Sequence, residues 1–165
     1  VYAPLFGCRQ WWRHAVGAAT VEEGTPWSEL SRRYVRGRID YYLPSAEEWR
    51  ATAPNIKQGS AGPLVDTDST TAVWATTTTK ELLDRLVAHY LELVERGVAP
   101  EQARMILPQN VYTTFRWSPS IQALANFLVQ RLDSHAQREI QEYAKAVYQL
   151  VRPIFPHSLK ALVGC

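Results

Sequence analysis

Residues 78–97 read TTKELLDRLVAHYLELVERG. Thr78 and Glu81 have the spacing of a capping box, in which a hydroxyl and a carboxylate satisfy amide donors that the first turn of a helix leaves unpaired. Behind them Leu82, Leu83, Leu86, Val87, Tyr90, Leu91 and Val94 recur at helical intervals. Gly97 follows, a residue suited to the left-handed turn that closes a helix. The spacing therefore predicts a helix that starts at Thr78 and stops at Gly97. Immediately upstream the character reverses. Residues 51–75 carry Pro54, Gly59, Gly62 and Pro63 among many Ser and Thr, with no apolar periodicity, and predict a surface loop.

Working outward, Pro100 opens a shorter helix through Met105 that Pro108 ends. Val111 to Trp117 is β-branched and aromatic and predicts a strand. Ser118 and Pro119 restart a helix carrying Ile121, Leu124, Ala125, Leu128 and Leu132 on one face. After Asp133 and Ser134 a last helix carries Ala136, Ile140, Tyr143, Ala144, Val147 and Val151 to Pro153. Toward the N-terminus, residues 1–8 fit a short strand, with Pro4 pointing to a sheet edge or a helix start. Residues 9–14 fit a helical turn, residues 17–26 a loop, and residues 34–43 alternate like a strand. Pro44 and Ser45 before Glu47 and Glu48 resemble a helix start. The sum is an α+β chain, a single helix-rich domain over residues 1–165 with a small sheet.

The chain has 165 residues, 46% hydrophobic and 21% charged, enough apolar material for a core and too much for a disordered polypeptide. No apolar run is long enough to span a bilayer, and the N-terminus lacks signal-peptide character, so a cytoplasmic protein is expected. The chain opens on Val1 without an initiator Met, and upstream residues are expected to belong to the fold. Cys8 and Cys165 lack CxxC spacing, which argues against a disulfide framework or a thiol redox pair. The net charge of +2 is too small for a nucleic-acid coat protein, yet residues 9–38 hold six arginines against three glutamates.

Arginine suits phosphate because its planar fork matches two oxygens and keeps its charge at any working pH. Arg9, Arg13, Arg32, Arg33, Arg104 and Arg131 all have apolar or aromatic neighbours, and together they favour an anionic ligand over a merely solvated face. Residues 28–34 crowd Ser28, Glu29, Ser31, Arg32 and Arg33 into a segment suited to a sugar phosphate. Arg131, His135 and Gln137 fall where one helix ends and the next begins, beside a positively polarised N-terminus. His14, His89 and His157 show no ligand spacing, so no metal site is expected. No side chain reads as an activated nucleophile, and no glycine-rich phosphate loop is present, so hard chemistry would fall to a cofactor.

Four blocks in order carry a family resemblance: RQWWRH at residues 9–14, ELSRRY at 29–34, ARMILP at 103–108, and NFLVQR at 126–131 running into DSHAQREI at 133–140. The chain resembles the flavin-dependent thymidylate synthases. The resemblance implies a homotetramer with shared active sites, FAD as cofactor, methylenetetrahydrofolate as carbon donor, NADPH as reductant, and methylation of C5 of a uridine monophosphate without an enzymic thiol. By position it implies substrate contacts at Gln10, Arg13, Glu29, Ser31, Arg33, Arg104 and Arg131. It implies flavin contacts at Arg13, His14, Asn126, His135 and Gln137. Arg131 and Ser31 are then the catalytic candidates, Arg131 facing the pyrimidine and stabilising charge that develops on the ring.

The chain also departs from the family pattern. The family's Arg-His-Arg, seven residues and Ser become Arg13, His14, Ala15 and then fifteen residues before Ser31. One charge is lost and a loop at residues 16–27 gains eight residues. Ser120 and Gln122 stand where the family usually has Asn and Arg. A remodelled loop changes which substrate hydroxyl is accepted, and the expectation is a UMP and dUMP C5-methylase like the variant of polyoxin-type nucleoside antibiotic biosynthesis. The alternatives are an ordinary dUMP-specific thymidylate synthase, a non-catalytic nucleotide-binding homologue and, least favoured by the charge, an RNA or single-strand binder.

Overall fold

The computed structural model describes residues 1–14, 27–29, 38–54 and 59–164. Outside them lie Ser31 and Arg33, the expected loop at 17–26 and the first part of the strand expected at 34–43. The described residues form six helices and a three-stranded sheet: β1 (Tyr2–Pro4), α1 (Leu5–Trp12), β2 (Trp27–Glu29), α2 (Ser69–Glu95), α3 (Pro100–Ala103), β3 (Tyr112–Trp117), α4 (Ile121–Arg131), α5 (Arg138–Val151) and α6 (Pro156–Val163). The sheet order is β1-β3-β2. The helix-rich α+β class expected from the sequence is the one observed. Among the described residues no helix is long and apolar enough to cross a membrane.

The backbone divides into two compact units, one of residues 1–6, 29–54 and 60–115, the other of residues 7–28, 55–59 and 116–165. In the first, β1 pairs antiparallel with β3, Ala3 opposite Thr113 and Pro4 opposite Tyr112, so Pro4 sits on an edge strand where its missing N–H costs least. Ile39, Tyr90, Ala103 and Val111 form the core, with Val87, Val94, Val98 and Ile106 against it. These residues come from the extended stretch at Ile39, from α2, from α3 with the turns on either side of it, and from the entry to β3, which fixes the turn after α3 against β3. Of the strand expected at 34–43, the described part is extended and makes one isolated bridge, Tyr41 to Val111. The start expected after Pro44 is a single 3-10 turn, Ala46–Glu48, in which Glu48 accepts from the Ser45 N–H at 2.8 Å.

The long helix ends as its sequence predicts. Gly97 has φ of +89°, its N–H reaches the Val94 carbonyl, and the Val98 N–H reaches Leu93, the paired bonds of a Schellman turn. Its start is corrected. The helix runs 27 residues from Ser69, so Thr78 and Glu81 lie inside it and the last part of the expected 51–75 loop is helical. Asp68 is the N-cap, accepting from the Thr71 N–H at 2.9 Å and the Thr71 hydroxyl at 2.6 Å, and these bonds hold its carboxyl below the ordinary range. Tertiary bonds then hold a Thr-rich turn of weak intrinsic propensity: the Trp49 indole donates to the Thr76 hydroxyl, which donates to the Pro44 carbonyl.

In the second unit α4 is capped by Ser120, whose Oγ accepts from the Ala123 N–H at 3.2 Å. The helix expected from Ala136 instead begins at Arg138, with Gln137 as N-cap and Ile140 and Ala144 on its buried face. The Gln141 amide donates to the Asp133, Ser134 and Ala136 carbonyls and keeps that preceding segment out of the helix. Nor is α5 the last helix, because Pro156 at a first-turn position opens α6, which buries Leu159. Trp11, Phe127, Leu128 and Ile140 are fully buried here, and so is Cys8 on α1.

Candidate functional site

The first unit holds a cavity of about 420 Å³ whose polar lining is Glu29, Glu101, Arg104, Gln109 and Thr113. Arg104 starts a 3-10 turn directly after α3, where Pro108 has already limited how far the helix can run. Thr113 reaches the same cavity from β3. That strand alternates inward and outward, with Val111 and Phe115 buried on either side of Thr113, itself 7% exposed. A hydroxyl in that row needs a partner, and Thr113 donates to Glu29 Oε1 at 3.0 Å. Two expected substrate residues, Glu29 and Arg104, are thus brought to one cavity.

The second unit gathers Gln10, Arg13, His14 and Arg131 around an aromatic wall. Trp11 stacks on Phe127 at 4.4 Å, and Trp117 meets both edge-on while stacking face to face on Trp27 at 5.3 Å. His14 lies edge-on to Phe127, only 6% exposed. Burial first, then the charges of Arg131 and Arg13, lower its pKa to about 4, so the ring is neutral at pH 7. Burial and Arg13 likewise lower the pKa of Arg131, which still leaves a cation. Arg131 Nη2 donates to the Gln10 carbonyl at 3.2 Å, and the Gln10 amide donates to Gln137 Oε1 at 2.6 Å, so three expected residues form one chain of contacts. His14 Nε2, Arg131 Nε and Trp117 Nε1 are buried and have no hydrogen-bond partner among the described residues.

Two expected flavin residues take other surroundings. Asn126 is exposed and accepts from Gln122 at 3.2 Å. His135 is exposed, with Nδ1 2.9 Å from Asp133 Oδ1, an acceptor it shares with the His135 N–H. Thr113, Glu101 and Gln109 were not read from the sequence as site residues. For Thr113 the signal was there, as a polar residue at an inward position of an apolar alternation. Glu101 and Gln109 look like ordinary surface residues and carry none.

The family model described as thymidylate synthase complementing protein matches residues 1–157, and the chain belongs to that family. The flavin-dependent thymidylate synthase of Thermus thermophilus is 36% identical over 156 residues, which cover 94% of this chain and 52% of that protein. That of Thermotoga neapolitana is 34% identical over 165 residues, covering 99% and 64%. The chain therefore spans about half to two thirds of the length of these relatives. The fold is similar to that of the UMP/dUMP methylase PolB from Streptomyces cacaoi. The PolB structure bound with 5-Br UMP gives a TM-score of 0.77 at 24% identity, covering 99% of this chain and 71% of that one. The structure bound with 5-Br dUMP gives 0.75 at 23%, covering 98% and 68%.

Proposed function

We propose that this chain serves the FAD-dependent reductive methylation of C5 of a uridine 5′-monophosphate, with methylenetetrahydrofolate as carbon donor and NADPH as reductant. The observation that carries the reading is the family match over residues 1–157. The residues present fit a flavin. His14 Nε2 and Arg131 Nε are buried polar atoms without hydrogen-bond partners among the described residues, and a ring system bearing carbonyls and ring nitrogens supplies partners for both. FAD, when bound, supplies the hydride that completes the transferred methyl group.

The chain's own residues bind and polarise. Arg13 and His14 hold the flavin, with Gln137 tied to Gln10 at the same place; Asn126 and His135, exposed and locally bonded in this chain, are its further contacts by the family likeness alone. Arg104 and Arg33 take the substrate phosphate, and Gln10, Glu29 and Ser31 take its other polar groups. Arg131 stabilises negative charge developing on the pyrimidine by a fixed guanidinium, with no proton transfer, and Ser31 supports it there. A neutral His14 is needed beside it, because a third positive charge would compete with Arg13 and Arg131. The working form is a homotetramer with shared sites.

Ala15 and the longer path to Ser31 support the view that the ribonucleotide is admitted as well as the deoxyribonucleotide, as a place in nucleoside antibiotic biosynthesis would require. Competing UMP and dUMP in one tube and weighing the products tests reaction and selectivity together. Methyl groups on both are expected. Methylation of dUMP alone makes the protein an ordinary thymidylate synthase, and methylation of neither overturns the reading.

A further inference from the structure

We propose that Thr113 is a positioning residue, whose hydroxyl holds the Glu29 carboxylate as the acceptor for the nucleotide's sugar hydroxyls while Arg104 takes the phosphate. The inference rests on the substrate reading above and divides the labour within it. Glu29 and Arg104 line one cavity, yet neither makes an ion pair among the described residues. Among the described residues, then, no carboxylate neutralises Arg104, and its guanidinium can meet an anion. A carboxylate repels a phosphate dianion, so Glu29 serves a hydrogen-bond donor, and the donors next to a nucleotide's phosphate are its sugar hydroxyls.

Thr113 makes that service directional. Its backbone is fixed by the ladder to Ala3, its neighbours Val111 and Phe115 are buried, and its hydroxyl donates to Glu29 Oε1 at 3.0 Å. Glu29 Oε2 has no partner among the described residues and is left to accept. A carboxylate held at one oxygen loses less side-chain freedom when a ligand binds, so the gain falls on affinity rather than on the chemical step.

The test is calorimetric binding of UMP, dUMP and 2′,3′-dideoxyuridine 5′-monophosphate to the wild type, Thr113→Val, Thr113→Ser, Glu29→Leu and the Val/Leu double variant. Thr113→Val is expected to weaken UMP by about tenfold, the size of one hydrogen bond to a charged group. The dideoxy nucleotide should change by less than about twofold, because it has no sugar hydroxyl to lose. Thr113→Ser should restore wild-type affinity, Thr113→Val should add nothing in the Glu29→Leu background, where no acceptor is left to hold, and the loss in turnover assays should fall on KM more than on kcat. The proposal is overturned if the dideoxy nucleotide loses as much as UMP, if Ser fails to rescue, or if the Val effect survives without the carboxylate. If the wild type binds none of the three, the substrate reading fails and the inference falls with it; wild-type binding with an indifferent Thr113→Val removes the inference alone.

Discussion

The two polar sites of this protein are built on opposite plans. In the first unit the Arg104 cavity has both signs of charge, a guanidinium and two carboxylates, and its one buried polar side chain, Thr113, is fully bonded. In the second, the charges that act on His14 and Arg131 are those of arginines, and His14 Nε2 and Arg131 Nε are buried without hydrogen-bond partners among the described residues. A satisfied cavity is ready to bind and release. The second cluster holds a partly desolvated Arg131 cation in place, a cost recovered where negative charge develops during a reaction.

That contrast can be broken from the structural side first. Phe127 is 0% exposed and carries the stack with Trp11, so Phe127→Ala should cost the protein about 3–5 kcal/mol, read as a lowered denaturation midpoint. A loss under about 1 kcal/mol would mean that the wall is not what holds the cluster. Next in size, Arg131→Gln should lower kcat by about 10²–10³ with little change in KM, as removal of one preorganised donor does. Arg104→Gln should instead raise KM by about 10–100-fold at nearly constant kcat. Exchange of these two signatures would reverse the division of roles.

The remaining prediction is a pH dependence. With a folded pKa of about 4 against an ordinary 6.5, His14 binds fewer protons in the folded state between those values. Stability from this group should therefore be level above pH 6.5, fall as the pH drops toward 4, and level again below. His14→Gln should remove that slope from denaturation midpoints taken across the interval, and an unchanged slope would place the titration elsewhere.

What could be read from the sequence followed how local the cause was. Gly97 ends α2 through its own backbone preference and was legible, as was β3 from its β-branched and aromatic run. The start of α2 was not, because Thr78 has cap spacing in the sequence while the turns before it are held by Trp49 and Pro44, distant in sequence. α6 went unread because Pro153 looks terminal until Pro156 proves to be a first turn. At the site, block order alone brought Arg104 and Glu29 together. It carried no information on solvent exposure, which leaves Asn126 and His135 on the surface with local partners.

The threonine-rich opening of α2 has one more consequence. Thr77 turns its hydroxyl back to the Val73 carbonyl, and Thr76 is spoken for by Trp49 and Pro44, so these turns owe their shape to side-chain anchors more than to helical preference. Loosening the anchors would let the first coils of this rod unravel while the leucine-rich remainder stays wound, giving a long element with two separate melting behaviours.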